Sequence, residues 1–414
     1  MSGALLASFP HPPKDPLHLD LSMSGKDLAL ELKKQAQNFV HVDSKNQNLE
    51  KVIRLGERLY AWVDAINATR SADNILSLSS AASQGGYPIE APIYNNAELV
   101  LASYEKLKSE DLPAWMQAVL FDGAEFLTEL PIADKDFVVL GRKVDRVYGK
   151  ASRWKLQRPW LWSYIQRRKN DIRGHYYLSR EENLTDKLNN FSDLSDEKKA
   201  ELSQWLGWLC YLKSGEGNES CATKLQSAQV SNSLNSFYLK YREIGKRKWE
   251  SFFKIPSSAK RSDISWTEKS ASIPFLKPND TQIQSFMKDN VEDEWRWNDW
   301  QLSLDFKESG FSIPKVVFKP GVTPNVNGLG GNTITMDSNQ SLTEYNTQWT
   351  IRHEFGHVLG FPDCYVEFYD DSEGVMVSYQ LDVDNLMCSR RGKLQEKHFE
   401  EMHKNYADHQ SLKH

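Results

Sequence analysis

Two histidines, His353 and His357, stand four residues apart with Glu354 between them, in the run Ile351-Arg352-His353-Glu354-Phe355-Gly356-His357-Val358-Leu359-Gly360-Phe361-Pro362-Asp363. On a helix, residues four apart share one face and lie about 6 Å apart along the axis. Both imidazoles can then reach one metal ion. Glu354 is turned about 100° round the helix and falls beside the metal rather than on it. Two imidazole ligands with a neighbouring carboxylate that can take a proton from water suit hydrolysis assisted by Zn²⁺.

The flanks support a helix that begins and stops in the right places. Trp349, Ile351, Phe355, Val358 and Leu359 supply apolar positions for a buried helix, and Asn346 or Thr347 could cap it. Gly360 falls where the helix should end, and Pro362 prevents its resumption. A glycine there can adopt positive φ and turn the chain back, which brings Asp363 round as a third ligand. Glu367 and His398 are the other candidates for that position, whereas His403, His409 and His414 read as surface residues.

The pattern H-E-x-x-H-x-x-G-x-x-D resembles the metzincin zinc peptidases, in the snapalysin-like variant that carries Asp where most members carry a third His. The resemblance covers the chain from about residue 273 onward. It implies a zinc ion held by His353, His357 and Asp363, with Glu354 as general base. It also implies a Met-turn beneath the metal, for which Asp384-Asn385-Leu386-Met387-Cys388 offers Met387. Many metzincins carry a Tyr two residues after that Met; here the position is Ser389. The family's last strand before the zinc helix is an edge strand that pairs with the bound peptide. Thr333, Ile334, Thr335 and Met336 match that place, and would bind substrate main chain by β-addition. The implied activity is a zinc endopeptidase acting on a protein or peptide. Two rivals stand beside it: a zinc amidase acting on a cell-wall or other non-protein amide, and a non-enzymatic helical binding protein whose zinc is structural and has four protein ligands.

The elements that must position these residues follow from hydrophobic periodicity. Ile273–Leu276 reads as a first strand. Asp280 caps a helix that faces Ile283, Phe286, Met287, Val291 and Trp295 inward. Trp300, Leu302, Leu304 and Phe306 alternate with polar residues as in a half-buried strand, and Lys315–Lys319 and Asn332–Asp337 are further strands. Leu394–Tyr406 closes the domain as a helix. The expected class is therefore α+β: a mainly helical N-terminal domain, 23–255, a linker, 256–272, rich in Ser and Lys with Pro256 and Pro274 near its ends, and a metzincin-like catalytic domain, 273–414.

Ahead of that domain, residues 1–22 are Pro-rich and read as an extended arm. Leu49, Val52, Ile53, Gly56, Leu59, Tyr60, Val63 and Ile66 recur at helical spacing. Asn67–Pro92 reads as loop, and 95–107, 112–121, 196–213 and 223–253 as helices, with Phe137–Leu140 a short strand. Residues 153–173 mix Arg and Lys with Trp and Tyr. That is the composition of a single-strand nucleic-acid platform, but no recognised module surrounds it, so it reads as a helix with buried Trp and a solvated basic face.

The whole chain bounds these readings. Its 414 residues suit two or three domains, and 40% hydrophobic with 26% charged residues is ordinary for a globular protein. A net charge of -5 gives no general attraction to nucleic acid, and no run of 18 apolar residues spans a bilayer. Met1–Phe9 is too short and lacks the basic start of a signal peptide, so secretion would require a leader removed from this chain. Of the three pairings open to the four cysteines, Cys210 with Cys221 and Cys364 with Cys388 is the simplest; four buried thiols are the alternative. Pairing implies an oxidising compartment, secreted or periplasmic; free thiols would fit the cytoplasm.

Overall fold

A computed structural model of the chain describes residues 44–71, 74–78, 87–213 and 218–407. The expected arm at 1–22, and His409 and His414, lie outside the described residues. The fold is mixed α+β with small sheets. Contacts divide the chain into two compact units. One takes the described part of Met1–Ser80 with Ile93–Arg168 and Glu367–Ser378; the other takes the described part of Ala81–Pro92 with Lys169–Val366 and Tyr379–His414.

The first unit is built on helices α1 (Ser44–Asn67), α2 (Ala97–Lys106), α3 (Ala114–Leu120), α4 (Asp134–Gln157) and α5 (Leu161–Arg167), with strand β1 (Ile93–Asn95) ahead of α2. The stripe read from the sequence on α1 is buried except at Tyr60, whose place in the core is taken by Trp62. Phe137–Leu140, expected as a strand, is the second turn of α4. Phe137 opens a buried row with Gly141, Val144, Val147, Ala151 and Trp154, and that spacing of three and four decides for helix over a four-residue apolar run.

The second unit begins with a helical layer: α6 (Arg173–Arg180), α7 (Leu184–Asn189), α8 (Asp196–Tyr211), α9 (Asn218–Val230) and α10 (Leu234–Ser251). Cys210 and Cys221 are paired and join α8 to α9, with Cα atoms 5.9 Å apart. The single helix expected over 223–253 is broken, because Asn232 takes positive φ of 51° between α9 and α10. Asparagine tolerates that left-handed turn better than most residues. The basic face expected over 153–173 is only partly solvated. Arg168 is buried against Asp370 and Asp371 at 3.0 and 2.9 Å, and Arg173 is buried against Asp171 at 2.9 Å.

The same unit carries two sheets. Strands β2 (Ser265–Trp266), β3 (Ser270–Leu276), β4 (Arg296–Trp297) and β5 (Trp300–Lys307) run in the order β2-β3-β5-β4, with β3 and β5 parallel. Strands β6 (Lys315–Lys319), β7 (Asn325–Val326) and β8 (Thr333–Asp337) run in the order β6-β8-β7. Helix α11 (Thr281–Met287) follows β3 and is capped by Asp280, whose side chain accepts from Gln282 N–H at 2.7 Å. The residues expected as a linker, 256–272, instead hold a short turn at Ser257–Ala259, β2 and the start of β3, and they bury Ala259, Ile264, Trp266 and Ala271. Pro274 is level with Asp305 of β5, but its nitrogen faces the other side, as Leu276 N–H does in donating to the Pro314 carbonyl at 2.7 Å, and there β2 pairs only with Ala271 and Ser272. No ladder bond is asked of the missing N–H.

Helix α12 (Tyr345–Val358) carries His353, Glu354 and His357. Strands β9 (Tyr365–Asp370) and β10 (Val375–Gln380) form a hairpin, a segment to which the sequence analysis assigned no element. Its outer part, Glu367–Ser378, belongs to the first unit, where β1 pairs with β10 at Ile93–Ser378 through Asn95–Met376. Helix α13 (Glu396–Tyr406) closes the described chain. The contacts thus place helices α6 to α10 with the metal-carrying segments, and the hairpin tip with the N-terminal helices, where the sequence reading had divided the chain at 256–272.

Candidate metal centre

Helix α12 starts at Tyr345 after Glu344, and neither Asn346 nor Thr347 serves as its cap. Both expected capping residues have instead been drawn into the first turn, where each leaves a buried side-chain oxygen without a hydrogen-bond partner. The other end forms as the sequence implies. Gly360 takes φ of 91°, and Phe361 N–H returns to the Gly356 carbonyl at 3.0 Å. A side chain at Gly360 would also collide with the Ala259 carbonyl, 2.8 Å from the position of a Cβ. Gly330 N–H donates to the His357 carbonyl at 2.7 Å, so the β7–β8 loop helps to close the helix end.

The turn brings Asp363 to the histidines. Its Oδ1 lies 3.1 Å from His353 Nε2 and 3.2 Å from His357 Nε2, and the two imidazole rings stand at 89° with centroids 4.8 Å apart. The opposite ring nitrogens face backbone carbonyls: His353 Nδ1 to Leu386 O and His357 Nδ1 to Phe361 O, both at 2.8 Å. A carbonyl can only accept, so each Nδ1 carries a proton, and in the neutral ring Nε2 is the nitrogen left for a metal. These carbonyl contacts are the kind of outer support that orients metal-ligating histidines.

The donor set fits a zinc ion. Its three donor atoms lie within 4.8 Å of one another. Tetrahedral ligands at about 2.0 Å from zinc stand roughly 3.3 Å apart, close to the two separations seen here. The electrostatics carry the same demand for a cation. Burial alone would lower the His357 pKa, but the hydrogen bond and charge of Asp363, with the charge of Glu354 and the Phe361 carbonyl, raise it to about 9. Burial raises Asp363, yet its hydrogen bonds to His353 and His357 hold the carboxyl well below its usual range. Without a metal, a proton thus occupies the cluster and supplies the positive charge.

Glu354 is 6% exposed, and its carboxylate has no hydrogen-bond partner among the described residues. It is near enough for its charge to act on His357. Met387 is 2% exposed and lies against Gly356, one turn along α12 from His353. Cys364 and Cys388 are paired, with Cα atoms 4.3 Å apart, and Cys364 N–H donates to the Met387 carbonyl at 3.0 Å. The segment after Asp363 is therefore tied to the Met387 turn by one covalent and one hydrogen bond.

The other expected site residues stand elsewhere. Glu367 accepts from Arg153, and from Gln157 and Ser378 at 3.2 and 2.9 Å, within the first unit. His398 is buried with both ring nitrogens engaged by Gln395 and Asn385, so neither is a third metal ligand. Thr333, Ile334, Thr335 and Met336 do not form a sheet edge. β8 is the central strand, parallel to β6 on one side and antiparallel to β7 on the other, with Thr335 opposite Asn325 and Ile334 opposite Val326. The two-residue β7 escaped the sequence reading because Asn325 and Val326 are too short a run to alternate.

Tyr365 was also missed. Its ring stacks on His353 at 29° with centroids 6.4 Å apart, and the residue is 36% exposed. The signal was its place two residues after Asp363, the spacing that puts two side chains on one side of an extended segment. Comparison with family models, with curated proteins and with solved structures returned no match to this chain, and the reading of the site rests on its own residues.

Proposed function

We propose that this chain is a zinc-dependent endopeptidase of metzincin type, with His353, His357 and Asp363 as metal ligands and Glu354 as general base. The convergence of two oriented Nε2 atoms and one carboxylate oxygen on a single point carries the reading. Zinc in such a site supplies a Lewis acid that polarises a carbonyl and lowers the pKa of water.

The chain's own residues then have distinct tasks. Leu386 and Phe361 hold the imidazoles in the tautomer that leaves Nε2 for the metal. Glu354, buried and unengaged, accepts a proton from the attacking water and delivers it to the leaving amine. Met387 fills the space under α12 at Gly356, in the manner expected of a Met-turn. Tyr365 flanks His353 on the exposed side, where its hydroxyl can meet substrate. Substrate main chain would pair with β7, the edge strand of its sheet, which packs on α12, in place of β8.

The donor set favours catalysis over a structural site. Among the described residues the group offers three ligands, and all four cysteines are in disulfides and so withheld from the metal. Structural zinc takes four protein ligands, catalytic zinc three with one position open. The two disulfides also fit an oxidising compartment, which is the basis for proposing a secreted or periplasmic protein. No helix of the described residues is long and apolar enough to cross a membrane.

The test is cleavage of casein and of a quenched-fluorescent peptide library by protein loaded with one equivalent of zinc, with and without chelator. Chelator-sensitive cleavage at internal peptide bonds is expected. Cleavage of cell-wall amides alone would favour the amidase, and a zinc-loaded protein inert on both would return it to a binding role.

A further inference from the structure

We infer that His398 is a positioning residue for the metal centre: it latches the side chain of Asn385, and Asn385 holds the turn whose Leu386 carbonyl orients His353. The inference rests on the reading of His353, His357 and Asp363 as metal ligands.

His398 lies in the first turn of α13, 3% exposed, with its ring against those of Trp295 and Phe361 at 6.4 and 5.4 Å. Its Nδ1 accepts from the Gln395 backbone N–H at 2.9 Å, which completes the capping of the helix. A backbone N–H can only donate, so Nδ1 carries no proton and the neutral ring must carry it on Nε2. Nε2 faces Asn385 Oδ1 at 2.9 Å and therefore donates to it. The tautomer and the direction of the latch are thus set by one main-chain group.

Asn385 passes the constraint on. Its Oδ1 also accepts from Met387 N–H at 2.8 Å, and its backbone carbonyl receives Cys388 and Ser389 N–H at 3.0 and 2.9 Å. Leu386 is clasped between these bonds. Its N–H is taken by the Lys393 carbonyl at 3.1 Å, and its own carbonyl faces His353 Nδ1 at 2.8 Å. Gly392 closes the other side, since a side chain there would collide with the backbone of Asn385 and Leu386. With its N–H groups and both neighbours held, the Leu386 peptide has little freedom to rotate its carbonyl away from His353. Asn385 is 1% exposed, so no water competes for its oxygen if His398 is removed.

Two substitutions separate the latch from the helix cap. His398→Asn keeps an acceptor for the Gln395 N–H but is too short to reach Asn385. His398→Gln places a donor where Nε2 was. The first readout is the imidazole NMR spectrum of the metal-free protein, in which the His353 Nδ1–H signal reports its hydrogen bond to Leu386; the second is zinc affinity by chelator competition. His398→Asn is expected to weaken that hydrogen bond and to weaken zinc about 10- to 100-fold. His398→Gln is expected to restore both. An unchanged Nδ1–H signal with zinc affinity within about twofold of wild type in His398→Asn would overturn the inference, as would equal losses in the two variants. If His398→Asn does not fold, Asn385→Ser tests the same link from the other side, since its hydroxyl keeps an acceptor for Met387 N–H but is too short for His398 Nε2; it should alter the Nδ1–H signal, and an unchanged signal would overturn the latch. Wild-type protein that bound no zinc would sink the ligand reading, while the His353 Nδ1–H signal would still decide the latch.

Discussion

Gly356 and Met387 close against one another beneath the histidine pair, and neither leaves room for the other to grow. A Cβ on Gly356 would collide with the Met387 sulfur and come within 2.8 Å of its methyl and 3.1 Å of the Trp295 ring. Gly356→Ala is therefore expected to destabilise the protein by about 1–3 kcal/mol through overpacking, and to weaken zinc by tilting α12. Met387→Leu conserves volume and should cost less than about 1.5 kcal/mol. Urea unfolding and zinc titration of both variants check this, and a Gly356→Ala protein as stable as wild type would refute the close packing.

Glu354 and Asp363 should separate chemistry from metal binding. Glu354→Gln removes the proposed base and spares the proposed ligands, so on this reading turnover should fall at least about 100-fold with zinc content unchanged. Asp363→Ala removes a donor that touches both Nε2 atoms, so zinc should be lost on dialysis against a chelator that wild type survives. Metal analysis beside a peptidase assay distinguishes the two. Zinc retained in full by Asp363→Ala would remove this residue from the ligand set.

The Cys364–Cys388 bridge ties the residue after the proposed third ligand, Asp363, to the residue after Met387. Chain-entropy arithmetic assigns such a loop about 3 kcal/mol. Mild reduction is expected to loosen zinc before the far-ultraviolet circular dichroism of the helices changes. Recovery of both cysteines as free thiols in a non-reducing peptide map would end this prediction at its first step.

His398 should give stability a distinct acid limb. In the unfolded chain it titrates near its ordinary value of about 6.5. In the fold it is lowered to about 4, chiefly by burial and then by the charge of Lys397, against the charge of Asp382; the rings packed on it, Trp295 and Phe361, are uncharged. A lowered histidine favours the neutral fold. Its contribution is complete above about pH 6.5, is lost progressively as pH falls toward about 4, and then levels off, a change on the order of 3 kcal/mol. Denaturant unfolding between pH 7.5 and 4.5 should show this loss in wild type and a shallower slope in His398→Asn. Parallel slopes would assign the acid limb to other groups.

The meeting of His353, His357 and Asp363 was legible in the sequence because its information is local. Helical spacing puts His353 and His357 on one face, and a glycine able to take positive φ returns the chain to Asp363 within six residues of His357. Both disulfides join cysteines close in sequence, which is why the simplest pairing is the one observed. What tertiary structure alone decided depends on partners far along the chain. Asp363 over Glu367 or His398 as the third donor turns on Arg153 and Asn385, 214 and 13 residues from the groups they engage. The edge expected at β8 was covered by β7, a two-residue strand too short to show any alternation of its own. The division of the chain followed contacts between segments such as β1 and β10, nearly 300 residues apart, and periodicity carries no record of which distant surface an apolar face will meet.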